Sequence, residues 1–155
     1  MNILPTRRSF AMLSFASIAA IGLAGCAMQK PMPAPSNIVK LSTQLRGTSE
    51  VPPNNSPGMG MVEATFNKDT RVLSWKVSYS GLTGPASAAH FHGPAAANAN
   101  AGVVMPWPSA ANGATGSATV APAQVGDLLA GFWYANVHTA AFPGGEIRGQ
   151  MMLAK

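Results

Sequence analysis

The sequence predicts an all-β domain, an antiparallel β-sandwich or small β-barrel of about eight strands, and three observations carry that prediction. Apolar and polar residues alternate with period two over most of the chain from Ile38 onward. The pattern is plainest from Arg71 to Tyr79, where Leu73, Trp75, Val77 and Tyr79 share one side and Ser74, Lys76 and Ser78 the other. Of 155 residues, 16 are Gly and 13 are Pro, which is rich in turns and poor ground for long helices. Turn signals recur between the alternating runs, and no strand–helix–strand unit interrupts them, so a Rossmann-type site is not expected.

Taken in order, Val39, Leu41, Thr43 and Leu45 alternate with polar neighbours and form a first strand that Gly47 closes. Val51-Pro52-Pro53-Asn54-Asn55-Ser56-Pro57-Gly58 suits neither helix nor ladder and is a loop. Gly60 to Phe66 is a second strand, Asn67 to Thr70 a turn, and Arg71 to Tyr79 the third strand. After a turn over Gly81 to Pro85, short strands are expected at Ala88–His92, Gly102–Met105 and Ala114–Val120. Ala121 to Ala130 is the one plausible helical stretch, with Pro122 near its first turn and Gly131 beyond its end. Phe132–His138 and Glu146–Leu153 make a last pair around the turn Phe142-Pro143-Gly144-Gly145.

Composition removes several function classes. Only 10% of residues are charged, which with the glycine content excludes a coiled coil. The basic residues are scattered without a stripe or patch, so nucleic-acid binding is not expected. The formal charge of +5 includes Arg7 and Arg8, and without them it is +3, that of a mildly basic domain. A single Cys cannot form an internal disulfide.

The first residues look like an address. Met1 to Arg8 is a short positive region, and Phe10 to Ala24 is apolar or small except for Ser14 and Ser17. That run is shorter than the ~20 residues a spanning helix needs and fits the core of a signal peptide. It ends in Leu23-Ala24-Gly25-Cys26, which resembles the lipobox of bacterial lipoproteins. The resemblance implies cleavage before Cys26, acylation of that residue, and a membrane anchor without a transmembrane helix. Ala27 follows where retention at the inner membrane takes Asp, which implies an outer-membrane location facing the periplasm. Thr6-Arg7-Arg8-Ser9-Phe10 resembles the twin-arginine export motif, with an ordinary secretory signal as the alternative. Residues 1–25 are thus expected to be a signal peptide, 26–37 a lipidated Pro-rich tether, and 38–155 the β-domain.

The candidate chemistry is in the histidines. His90 and His92 form His-x-His, and residues two apart on a strand face the same side. His138, on the penultimate strand, is the remaining histidine to complete a three-His metal site suited to zinc or copper. Glu146 could add a ligand, orient a histidine from behind, or pair with Arg148; Asn136 is a further candidate orienting residue or ligand. The alternative is a polar seam in which the imidazoles only hydrogen-bond, with Ser87 or Asn136 as partners. Separation decides between them: metal–nitrogen bonds are ~2 Å, so imidazoles more than ~10 Å apart would be structural. Met59, Met61 and Met105 carry thioethers that suit Cu(I), but strand methionines, Met151 and Met152 included, more often fill core gaps. Trp107 and Trp133 fit core or edge packing, with exposure at a binding rim as the alternative. No Gly-x-Ser-x-Gly elbow and no paired carboxylates suggest a catalytic nucleophile or a glycosidase; Glu63 and Asp69 read as solvated.

Ala89-His90-Phe91-His92-Gly93-Pro94 followed by Gly102-Val103-Val104 resembles the central motif of the CHRD domain family, named after chordin. Tyr134-Ala135-Asn136-Val137-His138-Thr139 and Pro143-Gly144-Gly145-Glu146-Ile147-Arg148-Gly149-Gln150 resemble its C-terminal signature, and Glu50-Val51-Pro52-Pro53 fits its start. The resemblance runs from about Val39 to Leu153. It implies a compact antiparallel fold of immunoglobulin-like or barrel-like character, and it places both histidine elements inside the family's own motif. The His-x-His strand also resembles copper/zinc superoxide dismutase, although three histidines and no cysteine pair exclude that enzyme's full bimetallic site. The expectation is a lipid-anchored binding module for a copper or zinc ion held by His90, His92 and His138. The alternatives are a protein-interaction domain with structural histidines and a small copper redox enzyme of the dismutase type.

Overall fold

The structure is a computed structural model and describes residues 36–154. The signal segment, Cys26 and the tether as far as residue 35 lie outside the described residues. Nine strands are present among the described residues: β1 (Ile38–Arg46), β2 (Met59–Asn67), β3 (Val72–Ser80), β4 (Ala86–His92), β5 (Val103–Pro106), β6 (Thr115–Thr119), β7 (Tyr134–Thr139), β8 (Ile147–Gln150) and β9 (Met152–Leu153). They form one antiparallel sheet in the order β5-β4-β7-β8-β1-β2-β3-β6, with β9 added to β1. Of the two expected architectures the chain takes the barrel: a single sheet curls into a nearly closed barrel of eight strands, open between β5 and β6.

Alternation builds the interior as the sequence implies. Leu41 and Leu45 of β1, Val62, Ala64 and Phe66 of β2, and Leu73, Trp75 and Val77 of β3 are buried, while Glu63 and Asp69 are exposed. Trp107 and Trp133 belong to this core and do not form a rim. Trp107 packs on Phe91 and Trp75 with ring centroids 5.0 and 5.8 Å away, filling the barrel beside the open seam.

Three local expectations are corrected. Met59 and Met61 are exposed, because the same alternation that turns Val62, Ala64 and Phe66 inward turns them out; Met152 is exposed too, whereas Met105 and Met151 do fill the core. The strand expected over Glu146–Leu153 breaks at Met151, whose side chain is buried and whose N–H donates to the Trp133 carbonyl, leaving β9 to pair with β1. The helical stretch is short: a 3₁₀ turn at Pro122–Gln124 leads into α1 (Val125–Leu129), which buries Leu128 and is capped by Ala130 before Gly131 at φ +81°.

The histidines lie on the wall β4-β7-β8. Its register sets His90 opposite Asn136, His92 opposite Tyr134, and Asn136 opposite Arg148. Phe91, Ala135, Val137 and Ile147 point into the core, so the intervening polar residues share the outer face. All six residues of β7 are nonetheless buried. Loop residues lie over this face: Asn100 donates to the Val51 carbonyl, and Arg148 reaches back to the carbonyl of Ala99.

Candidate metal centre

His90 and His92 come from β4 and His138 from β7, and one nitrogen of each lies within 4.8 Å of the others. No other such group of His, Cys, Asp or Glu occurs among the described residues. His90 Nδ1 and His138 Nε2 are 3.1 Å apart. Two donors on a tetrahedral ion with ~2.0 Å bonds stand about 3.3 Å apart, so this spacing suits co-ligands as well as a hydrogen bond between the two rings. The separation that would have favoured purely structural histidines is not observed.

Backbone carbonyls set the tautomers. His138 Nδ1 lies 2.9 Å from the Pro143 carbonyl and His92 Nδ1 lies 3.0 Å from that of Ala101. A carbonyl only accepts, so each Nδ1 carries the proton and each Nε2 presents a lone pair. Both Nε2 atoms then face Asn136 Oδ1, 3.1 Å from His92 and 3.0 Å from His138. The His90 Nδ1–H can donate to the His138 lone pair, but the His92 lone pair faces the amide oxygen, an arrangement that a cation among these atoms would relieve.

A metal ion is one such cation and a second imidazole proton another, and the surroundings oppose the proton. Burial holds His90 below its ordinary range, and the His138 and His92 rings push it further. Burial also pushes His92 down, outweighing its hydrogen bonds to Ala101 and Asn136, and Arg148 adds to the effect. Both shifts favour the neutral form of His90 and His92, the form that ligation needs. His92 and His138 are 9% exposed and His90 is half-buried, so solvent reaches the cluster from the His90 side.

Supporting residues hold the imidazoles in place. The Tyr134 ring lies flat on His92, centroids 4.7 Å apart with planes 1° from parallel. The Arg148 guanidinium carbon stands 3.4 Å from the Tyr134 ring centroid. Arg148 also donates to Asn100 Oδ1 at 2.8 Å and to the Ala99 carbonyl at 2.7 Å, fixing the loop whose Ala101 carbonyl orients His92. Stacked cation, phenol and imidazole form a rigid backing of the kind that tunes ligating histidines.

The two further candidates differ. Asn136 is in the cluster, at hydrogen-bonding distance from two imidazoles. Glu146 is fully buried elsewhere: its carboxylate accepts from Ser56 Oγ, the Thr83 N–H, Thr83 Oγ1 and Thr139 Oγ1. Burial pushes the Glu146 carboxyl up, but those donors outweigh it and hold the group below its usual range. Arg148 engages loop carbonyls and Tyr134.

Sequence reasoning passed over Tyr134, Arg148 and Glu50 as site residues. Tyr134 was within reach, because Tyr134, Asn136 and His138 share one face of a strand. Glu50 stands in a loop 40 residues before His90, and only the fold brings it to Asn136. Its carboxyl is raised from 4.5 to about 7, chiefly by burial, against the pull of Arg148, the Val51 backbone and the Asn136 amide.

The family model of the CHRD domain matches residues 41–151, which include all three histidines, Asn136 and Glu146. No curated protein and no solved structure matches the chain significantly.

Proposed function

Taking the chain as a member of the CHRD family, to which it belongs over most of its length, we propose that it is a lipid-anchored binding module of the cell envelope for a copper or zinc ion. The ion's ligands are His90, His92 and His138. The observation that supports this reading is the convergence of imidazole lone pairs whose tautomers are set by the carbonyls of Ala101 and Pro143. Imidazole nitrogen suits Zn(II) and copper, and the donor set contains neither thiolate nor thioether. The exposed Met59 and Met61 are on β2, a strand that does not carry the cluster.

The role follows from what surrounds the cluster. It is backed by stacked, hydrogen-bonded side chains and reached from one side, which suits storage, delivery or protection. The lipobox-like Cys26 and the Pro-rich segment after it support a module held on a membrane, facing the periplasm on a semi-rigid spacer.

Calorimetric titration of the full-length chain in detergent with Zn(II), Cu(II) and Cu(I) tests the reading. One ion per chain is expected, with binding abolished in the His90→Ala/His92→Ala/His138→Ala variant. Equal affinity in that variant would sink it.

A further inference from the structure

Asn136 can face the histidines in two ways with opposite consequences. With its NH₂ on His92 Nε2 and His138 Nε2 it would donate to both lone pairs and close the cluster as a satisfied polar seam. With Oδ1 there, 3.1 and 3.0 Å away, it adds a fourth donor atom and leaves the His92 lone pair against an acceptor, which a cation would relieve. The two ends of an amide have nearly the same shape, so the group on its far side selects between them.

Glu50 is on that far side. It is 6% exposed, and its buried Oε1 has no hydrogen-bond partner. Glu50 Oε1 and Asn136 Nδ2 crowd the same point, the space that a Cβ on Gly145 would fill. Reversing the amide would set Asn136 Oδ1 beside the ionised carboxylate, acceptor against acceptor.

Charge argues the same way. The three histidines and Asn136 are neutral donors, and a divalent ion on them would bring two positive charges to a place that already feels Arg148. Of the other acids among the described residues, Glu63 and Asp69 are exposed, Asp127 is on α1, and Glu146 is taken by four hydrogen bonds. Glu50 is the buried carboxyl beside the donor set.

We infer that Glu50, ionised when a cation sits on the imidazoles, is the positioning residue of the metal centre: it holds the Asn136 amide with Oδ1 toward the imidazoles, makes Asn136 the fourth ligand, and supplies the negative charge behind it. This rests on the metal reading above. It also explains why Gly145, at φ +131°, has no side chain: one would push between the two partners.

The test is zinc titration of the full-length chain carrying Glu50→Gln in two backgrounds, with far-UV circular dichroism to establish folding. The introduced glutamine can donate to Asn136 Oδ1 and so reverse the amide, and affinity is expected to fall on the order of 10- to 100-fold. In the Asn136→Asp background both side-chain ends are oxygens and orientation no longer matters, so Glu50→Gln should cost less than about 3-fold or raise affinity by relieving carboxylate repulsion. If Glu50→Gln does not fold, Glu50→Ala replaces it in the same comparison. Unchanged affinity in the native background, or equal losses in both, overturns the inference while the three-His site stands. Absence of zinc binding by the unaltered chain, or its survival in the triple histidine variant, overturns the metal reading and this inference with it.

Discussion

Two buried glutamates show how little residue type decides. Glu146 and Glu50 are 0% and 6% exposed, yet the first has four donors on its carboxylate while the second leaves an oxygen without a partner. Four charge-assisted bonds make Glu146 a staple between β7, the β8 approach and the loops at Ser56 and Thr83. Glu146→Gln replaces an acceptor with an NH₂ that faces hydroxyl and N–H donors, and is expected to cost about 1–3 kcal/mol. Chemical denaturation should show that loss, and zinc affinity should stay within a few-fold of the unaltered chain. The histidines were legible because His-x-His on a strand puts two imidazoles on one face. Their tautomers were not, since the carbonyls of Ala101 and Pro143 that set them are loop atoms with no signature in the sequence. The same holds for Glu50, whose part depends on a loop folding back over β7.

At the scale of elements, period two was a reliable guide where one face meets the core. Leu73, Trp75 and Val77 alternate inward as read, and the end residues of the strands moved by only one or two positions. The pattern failed where burial came from covering loops: every residue of β7 is buried, so Tyr134, Asn136 and His138 lie under a roof that alternation cannot see. It failed again at the end of the chain, where Met151 turns into the core and splits one strand into β8 and β9. The β1–β8 junction is a further case. It has a single register pair, Arg46 with Arg148, and the strands approach closely at Gly149. A Cβ there would collide with the Gln44 carbonyl and with Thr43 Oγ1, one of them main chain that cannot swing aside. Gly149→Ala is expected to destabilise the domain by about 1–3 kcal/mol, read as a lower unfolding midpoint in urea.

For the molecule as a whole, the sequence carried the fold class but left sandwich and barrel open, because closure depends on which strands neighbour one another. Observed closure brings β4 beside β7, which separates a three-histidine cluster from three isolated rings. Stability of the metal-free chain inherits the cluster's electrostatics from both sides. The Glu50 carboxyl is raised to about 7, so its contribution is full below its ordinary 4.5 and is lost as pH rises through about 7. His90 and His92 are lowered, so their contribution is present above their ordinary 6.5 and is lost as pH falls through their folded values. Thermal midpoints in chelator should therefore decline toward both acid and alkali, and Glu50→Gln should flatten the alkaline limb alone.

The seam between β5 and β6 leaves two strands with open backbone edges, which are templates for pairing with a neighbouring copy. Here the hazard is blunted by length and composition: β5 is four residues long and ends in Pro106, and β6 is five residues long, with Gly116 at its second position. Short edges with these residues offer little register for a fibril to copy. A barrel that stops one ladder short of closure thus keeps small the edge it offers to a neighbouring copy.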